Sequence, residues 1–332
     1  MPDAVVLRGV TKAFGPKVAV RDLDLSVPEG AIYGFIGPNG AGKTTTIRII
    51  MSILFPDRGE ISVLGRSSAL EAKDRIGYLP EERGMYKKMR VGSFLSYISK
   101  LKGCEGPDLP RKVRGWLERV GLADVERKRC EELSKGMQQK VQFIAAIIHE
   151  PDLLILDEPF SGLDPINMRL LRELVLEQHR RGATLLFSTH VMVQAEKICD
   201  HVVMINDGDK VLDATLGEIR GRFDPRSLEF EPLQADAAAE PLRSLPGVES
   251  VTRDGACWLL HLAEGAEPAA TMRAAVAALP AARVEIRRPT LEDVFVEIVT
   301  KGAGTPIEKT ADLRRGLRDD SAEHPGGRAA TA

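Results

Sequence analysis

The chain has 332 residues, too long for one average hydrophobic core, and two domains are expected. An apolar fraction of 43% fits a soluble globular protein. The 46 basic and 48 acidic residues leave a formal charge of -2, which argues against a general polyanion binder and indicates no nucleic-acid partner.

From Ala4 to Val27 the alternation of apolar positions, among them Val18, Val20, Leu23, Leu25 and Val27, predicts half-buried antiparallel strands, and Pro28-Glu29-Gly30 turns the chain. The run AIYGFIG is a short buried strand ending in glycine, and TTTIRIIMSIL after it has helical apolar spacing. From about Arg90 to Glu150 the chain is predicted helical. Val91, Phe94, Leu95 and Ile98 share one face, Val113, Trp116, Leu117 and Val120 a second, and Met137, Val141, Ile144, Ala145 and Ile148 a third. The nearly all-apolar runs LLILDEP and ATLLFSTH flank the helical MRLLRELVLEQHRR, the pattern of buried parallel strands joined by a crossover helix. VVMI and KVLDAT around Asn206-Asp207-Gly208-Asp209 then form a hairpin.

Phe223-Asp224-Pro225 marks a boundary, so residues 1–222 are expected as the first domain, with a helical subdomain at about 90–150. Over residues 223–300 the order is strand SLEF, helix AAAEPLRSL, strands VESVT and CWLLHL, helix TMRAAVAAL and strand RVEIRR. This matches a split βαβ, ferredoxin-like α+β domain. A last helix, TLEDVFVEIVT, opens with Thr290 and Asp293 in capping-box positions. From Lys301 the composition loses any apolar face, and residues 301–332 are expected as a disordered tail.

Cys104, Cys130, Cys199 and Cys257 form no CxxC pair and lack metal-type spacing, so they are expected as reduced thiols in a reducing compartment. The N-terminus lacks the basic and apolar regions of a signal peptide. The greasiest segment, VQFIAAIIHEPDLLILDEP, is cut by His149, Glu150 and Asp152, so no membrane span is expected.

Gly37-Pro38-Asn39-Gly40-Ala41-Gly42-Lys43-Thr44 fits the P-loop pattern GxxxxGK(S/T) between a strand and a helix. Glycines 37, 40 and 42 let backbone N–H groups wrap phosphates, the helix N-terminus adds its dipole, and Lys43 neutralises phosphate charge. Thr44 is expected to hold Mg²⁺ through its hydroxyl, and Thr45 completes the nucleotide-binding set. The alternative, a glycine-rich turn with an incidental lysine, does not explain the flanking strand and helix. Asp157 and Glu158 end the strand LLILDEP, which suits Asp157 to orienting magnesium and Glu158 to polarising the attacking water. Alone, the pair could simply cap a strand.

Leu133-Ser134-Lys135-Gly136-Met137-Gln138-Gln139 resembles the LSGGQ signature of the ABC ATPases, with Lys135 and Met137 departing from the pattern. Ser134 and Gly136 at a helix start can offer a hydroxyl, amides and a dipole to a γ-phosphate. The resemblance implies an α/β P-loop ABC ATPase domain with a parallel core sheet, an antiparallel β subdomain and a helical subdomain. It also implies that Ser134, Gly136 and Gln138 meet the ATP of an opposing subunit, with Asp164 in Ser161-Gly162-Leu163-Asp164 as the D-loop. His190 is similar to the switch histidine, and Phe14 to the aromatic that stacks on adenine; a single aromatic near an N-terminus is more often core, but the resemblance favours the adenine role. Glu81 stands where the family has its Q-loop glutamine; a carboxylate there remains a hard oxygen ligand for magnesium.

The stretch YLPEERGMYKKMRVGSFL and the ending TLEDVFVEIV are similar to the ABC-2 type exporter branch, and the resemblance covers about residues 1–300. It implies ATP as substrate, Mg²⁺ as cofactor, a second copy of the chain bound head to tail, and a separate ABC-2 type transmembrane permease. The protein is then expected in the cytoplasm, peripheral on the inner face of the cell membrane. A soluble ABC ATPase that remodels another macromolecule is the rival, but such chains usually carry paired cassettes or long coiled coils, and neither is present. A binding-only module is disfavoured by the presence of Glu158 and His190.

Overall fold

The computed structural model describes residues 2–82, 84–222, 227–287 and 290–303. The chain divides into two compact units, one built on residues up to Leu216 and the other on Gly217–Glu297. The sequence ends the first domain at Arg222; the boundary tripeptide Phe223-Asp224-Pro225 and tail residues 304–332 lie outside the described residues.

The first unit opens with β1 (Asp3–Phe14) and β2 (Lys17–Pro28), which pair antiparallel as their alternating apolar positions predict. The other side of β1 is taken by β4 (Arg58–Val63), giving a three-stranded sheet of order β2-β1-β4. Between them lie β3 (Ile32–Ile36) and helix α1 (Lys43–Ile50). The apolar spacing predicts α1 as far as Leu54, but Ser52 takes a left-handed φ of 56° and the amides of Ile53 and Leu54 fold back onto the Arg48 carbonyl, which ends the helix early.

After β5 (Ile76–Leu79), the helical segment comprises α2 (Val91–Leu101), α3 (Leu109–Arg119) and α4 (Lys135–Ile147), which bury most of their predicted apolar faces, with Ile98 and Met137 half-buried. The chain then runs through β6 (Leu153–Asp157), α5 (Pro165–Arg180), β7 (Thr184–Thr189), α6 (Met192–Glu196), β8 (His201–Asn206) and β9 (Asp209–Thr215). These strands form a six-stranded sheet of order β5-β6-β7-β3-β8-β9, parallel except for the β8–β9 hairpin. Every residue of β3, β6 and β7 is buried, as expected where both faces of a parallel sheet are covered. The hairpin turn uses left-handed Asp207 and Gly208, the primed geometry that matches strand twist.

The order β6-β7-β3 sets three strand ends side by side: Ile36 pairs with Thr189, and Asp157 with Ser188. Such a carboxyl edge is where open α/β sheets bind ligands.

In the second unit α7 (Leu216–Arg222) leads to β10 (Ser227–Pro232), α8 (Glu240–Arg243), β11 (Val248–Asp254), β12 (Cys257–Leu262), α9 (Pro268–Ala278), β13 (Ala281–Arg287) and α10 (Leu291–Ala303). Strand order β11-β12-β10-β13, antiparallel throughout, gives the ferredoxin-like α+β arrangement. Its core joins Leu228, Phe230, Val251, Leu260 and Leu262 of the sheet to Leu242 and Ala275 of the helices. Helix α8 is shorter than its alanine-rich sequence predicts. Pro241 sits in its first turn, where a missing N–H costs nothing, so the alanines before it stay outside the helix. Helix α10 starts with the predicted reciprocal cap: the Thr290 amide donates to Asp293 Oδ2 at 3.1 Å, and the Asp293 amide to Thr290 Oγ1 at 3.2 Å. Because Phe230 is fully buried in this small core, Phe230→Ala is expected to cost about 3–5 kcal/mol, read as a lower urea midpoint for the full chain.

Candidate active site

The loop between β3 and α1 is tightly wedged. A Cβ at Gly37 would lie 2.1 Å from the Ile205 carbonyl oxygen and one at Gly42 2.2 Å from that of Ala19, and both residues have positive φ. Only glycine fits there, whereas Gly40 needs its freedom for its φ of 79° alone. Buried Ala41 bonds to the Pro38 carbonyl through its amide, half-buried Thr45 follows Thr44, and Asn39 is exposed. Gly42 caps α1 without a side chain, so the first-turn amides and the helix dipole face the loop. Lys43 is buried, and its Nζ donates to the carbonyls of Gly37 at 2.7 Å and Pro38 at 3.1 Å. The result is a backbone cradle with a cation at its centre, suited to a polyphosphate.

Asp157, at the end of β6, accepts hydrogen bonds on Oδ1 from Thr44 Oγ1 at 3.3 Å and from Ser188 Oγ of β7. Its other oxygen, Oδ2, is buried and has no hydrogen-bond partner among the described residues. Burial, reinforced by the Glu158 charge, raises this carboxyl above its ordinary range, against the lowering effects of Ser188, Thr44 and Lys43.

Glu158 turns sharply, with φ 48°, and its amide donates to the Ser188 carbonyl at 3.2 Å. Its buried carboxylate meets His190 at the end of β7: Oε1 accepts from the His190 amide at 2.9 Å and lies 2.8 Å from His190 Nδ1. A left-handed non-glycine residue costs about 1–3 kcal/mol and persists where its surroundings fix it.

Glu81 is exposed, just beyond β5. Partial desolvation, then the charges of Asp157 and Glu158, raise its carboxyl, while Lys43 and His190 pull it down. It therefore shares the electrostatic field of all four. Half-buried Tyr78 on β5 faces the same region; burial, followed by the Asp157 charge, pushes its phenol up to about 12.

The other predicted residues have local partners of their own. Phe14 is 50% exposed, with Lys12 Nζ 5.6 Å from its ring centroid, so it is not a core residue. Ser134 caps α4, accepting from the Met137 amide at 3.4 Å. Gln138 donates to the carbonyls of Cys130 and Leu133 at 3.3 and 3.1 Å, bracing the loop before its own helix. Neither residue hydrogen-bonds to the P-loop. Gly136 has an ordinary backbone, and a Cβ there would meet nothing closer than Asn167 Nδ2 at 3.8 Å. Asp164 caps α5, with Oδ1 accepting from the amides of Ile166 and Asn167 at 3.0 and 2.9 Å. Hydrogen bonds from Asn167 hold its carboxyl below the usual range.

Ser188, Tyr78 and Gln139 were not singled out as site residues in the sequence. Gln139 is buried in α4 and donates to the Pro159 carbonyl at 3.2 Å, linking the helix after Ser134 to the turn after Glu158. A polar residue inside an otherwise apolar strand or helix face was the available signal for Ser188 and Gln139.

Two family descriptions match the chain: "ABC transporter" over residues 20–161, and "ATP-binding protein DrrA1-3-like, C-terminal domain" over residues 215–299. The uncharacterized ABC transporter ATP-binding protein YhaQ of Bacillus subtilis is 40% identical over 295 residues, covering 87% of this chain and 96% of its own. The bacitracin transport ATP-binding protein BcrA of Enterococcus faecalis is 33% identical, covering 74% and 79%. A solved structure of an ATP-binding subunit of an ABC transporter aligns with a TM-score of 0.62 at 32% identity, over 66% of this chain and 92% of that one. The chain belongs to the ATP-binding proteins of ABC transporters. It is an ATPase subunit whose turnover serves a separate transmembrane partner. Among the described residues no helix is long and apolar enough to cross a membrane.

The tight fit at Gly42 makes Gly42→Ala a sharp test of the cradle. Displacing the loop by strain worth about 1–3 kcal/mol should weaken ATP binding by roughly tenfold or more, measured by calorimetry.

Proposed function

We propose that this chain powers export through an ABC-2 type transmembrane permease, working as one of two identical subunits that sandwich two ATP molecules head to tail. In this arrangement it sits on the inner face of the cell membrane through its permease. The bacitracin-transport relative and the DrrA-like C-terminal match support export.

The observation that carries the catalytic assignment is the pair of buried carboxylates Asp157 and Glu158, the latter held by half-buried His190, at the carboxyl edge with Lys43 and Thr44. The phosphates lie in the loop of residues 37–45, with Phe14 stacking on adenine. The Asp157 carboxylate, whose Oδ1 accepts from the Thr44 hydroxyl and whose Oδ2 is orphaned, suits a hard divalent cation, with Glu81 as a further oxygen. When bound, magnesium neutralises charge on the β- and γ-phosphates.

Glu158 accepts a proton from the attacking water as the new O–P bond forms and the bond to the bridging oxygen breaks, releasing ADP and phosphate. His190 holds the Glu158 carboxylate in place, and Lys43 offsets charge on the transferring group. Ser134 and Gly136 contribute to the opposing chain's γ-phosphate, with Asp164 near the same junction and Gln138 bracing the loop. A Cβ at Gly136 would meet nothing closer than Asn167 Nδ2 at 3.8 Å among the described residues, which leaves room there for a group held by another chain.

Glu158→Gln keeps the shape of the side chain but loses its basicity. It should lower kcat by about 10²–10⁴-fold while ATP binding survives, and size-exclusion chromatography with ATP and Mg²⁺ should reveal a trapped dimer. Turnover near wild type would contradict the assignment. Glu81→Gln removes one of the carboxylates facing the metal position, so the Mg²⁺ concentration giving half-maximal ATPase rate should rise. A Mg²⁺ titration that overlays wild type would remove Glu81 from the metal site.

A further inference from the structure

We propose that a basic ribbon on the helical part of the first unit rests on anionic phospholipid headgroups of the membrane that holds the transmembrane partner. The ribbon is made by the fold. The amides of Val91 and Gly92 donate to the carbonyls of Lys128 and Glu126, and those of Cys130 and Glu131 to the carbonyls of Met89 and Lys87, all at 2.9–3.0 Å. Arg90 and Arg129 form a bridge within this ladder. Two separate basic runs, Lys87-Lys88-Met89-Arg90 and Arg127-Lys128-Arg129, are thereby zipped together in a chain whose net charge is only -2.

The charges are not neutralised locally. Arg129 reaches Glu131 at 3.5 Å, but Lys87, Lys88, Arg90, Arg127 and Lys128 form no ion pair with another described residue. The nearby Glu126 is engaged by Arg114 at 3.4 Å, and Glu132 by the Arg129 amide. Like charges held side by side repel and cost stability unless something anionic offsets them.

Beside the ribbon lies a cavity of about 500 Å³ whose lining includes Arg90, Ser93, Ser96, Lys100 and Arg127, cations and hydroxyls of the kind that bind phosphate, together with the single carboxylate of Glu126, which Arg114 engages. Tyr86 and Tyr97 are exposed and meet edge to face, with ring centroids 5.8 Å apart, close to exposed Leu101. Tyrosines beside lysines and arginines are the usual dress of a membrane–water interface. The cations sit on long exposed side chains around a polar cavity, which suits a field of headgroups better than one docked apolar helix.

The proposal rests on the transport function only for bringing the chain to a membrane, so vesicles without the partner test it separately. Full-length protein is sedimented with vesicles of phosphatidylcholine alone or mixed with phosphatidylglycerol. Wild type should bind the anionic vesicles selectively and release in high salt. Each Lys or Arg at an anionic surface is worth roughly fivefold in affinity. The combined Lys87→Gln, Lys88→Gln, Arg127→Gln and Lys128→Gln variant should therefore lose on the order of 100-fold or more. Its basal ATPase rate and ATP affinity should be unchanged, which shows that it folds. Equal binding of wild type to both vesicle types, binding to neither, or undiminished binding by the variant overturns the proposal. So does a variant that keeps vesicle binding but loses affinity for the purified transmembrane partner, which would make the ribbon a protein-docking face.

Discussion

The buried carboxylate of Asp157 holds the carboxyl edge of the sheet together. Through Ser188 it fastens β6 to β7, and through Thr44 it fastens both to the first turn of α1. Burying a carboxylate is costly and raises its proton affinity; hydrogen bonds from Ser188 and Thr44 and the nearby Lys43 charge oppose that rise. The next residue, Glu158, inherits the consequence: its backbone is bent into a left-handed turn that hangs from the Ser188 carbonyl, and its side chain closes on His190. The loop, the proposed metal position and the proposed base are thus parts of one hydrogen-bonded assembly built on three adjacent strand ends.

That assembly is only part of what the proposed reaction needs. Ser134 spends its hydroxyl on capping α4, and Gln138 spends its amide on the loop before it. Both keep the start of α4 in shape, and buried Gln139 ties that helix to the turn after Glu158. Gln139 thus couples the start of α4 to the turn that follows Glu158.

Much of this was legible in the sequence because the governing patterns are local. All-apolar runs predicted β3, β6 and β7, and glycine spacing predicted the loop, whose steric need became clear only when Ile205 and Ala19 were found pressed against it. Strands β4 and β5 escaped notice because RGEISV and IGYL are short and lack a clean period. The early end of α1 depends on a single left-handed serine, and the short α8 on the position of one proline, neither of which apolar periodicity registers. Phe14 is assigned to adenine in the sequence only through the family resemblance, since a single aromatic near an N-terminus is more often core; its exposure removes the core option. The basic ribbon was illegible for a different reason: its halves lie far apart in the chain and meet only through tertiary pairing.

The central claim is that a complete hydrolytic site needs the nucleotide loop of one chain and the α4 start of another. Mixing two disabled chains measures this directly. Lys43→Ala spoils the loop, and Gly136→Asp spoils the α4 start at a position where the chain itself has room for a side chain. Each variant alone should be nearly inactive, and their mixture should recover a clear fraction of wild-type ATPase turnover, because a mixed pair retains one intact composite site. A mixture as inactive as its components would contradict the shared site.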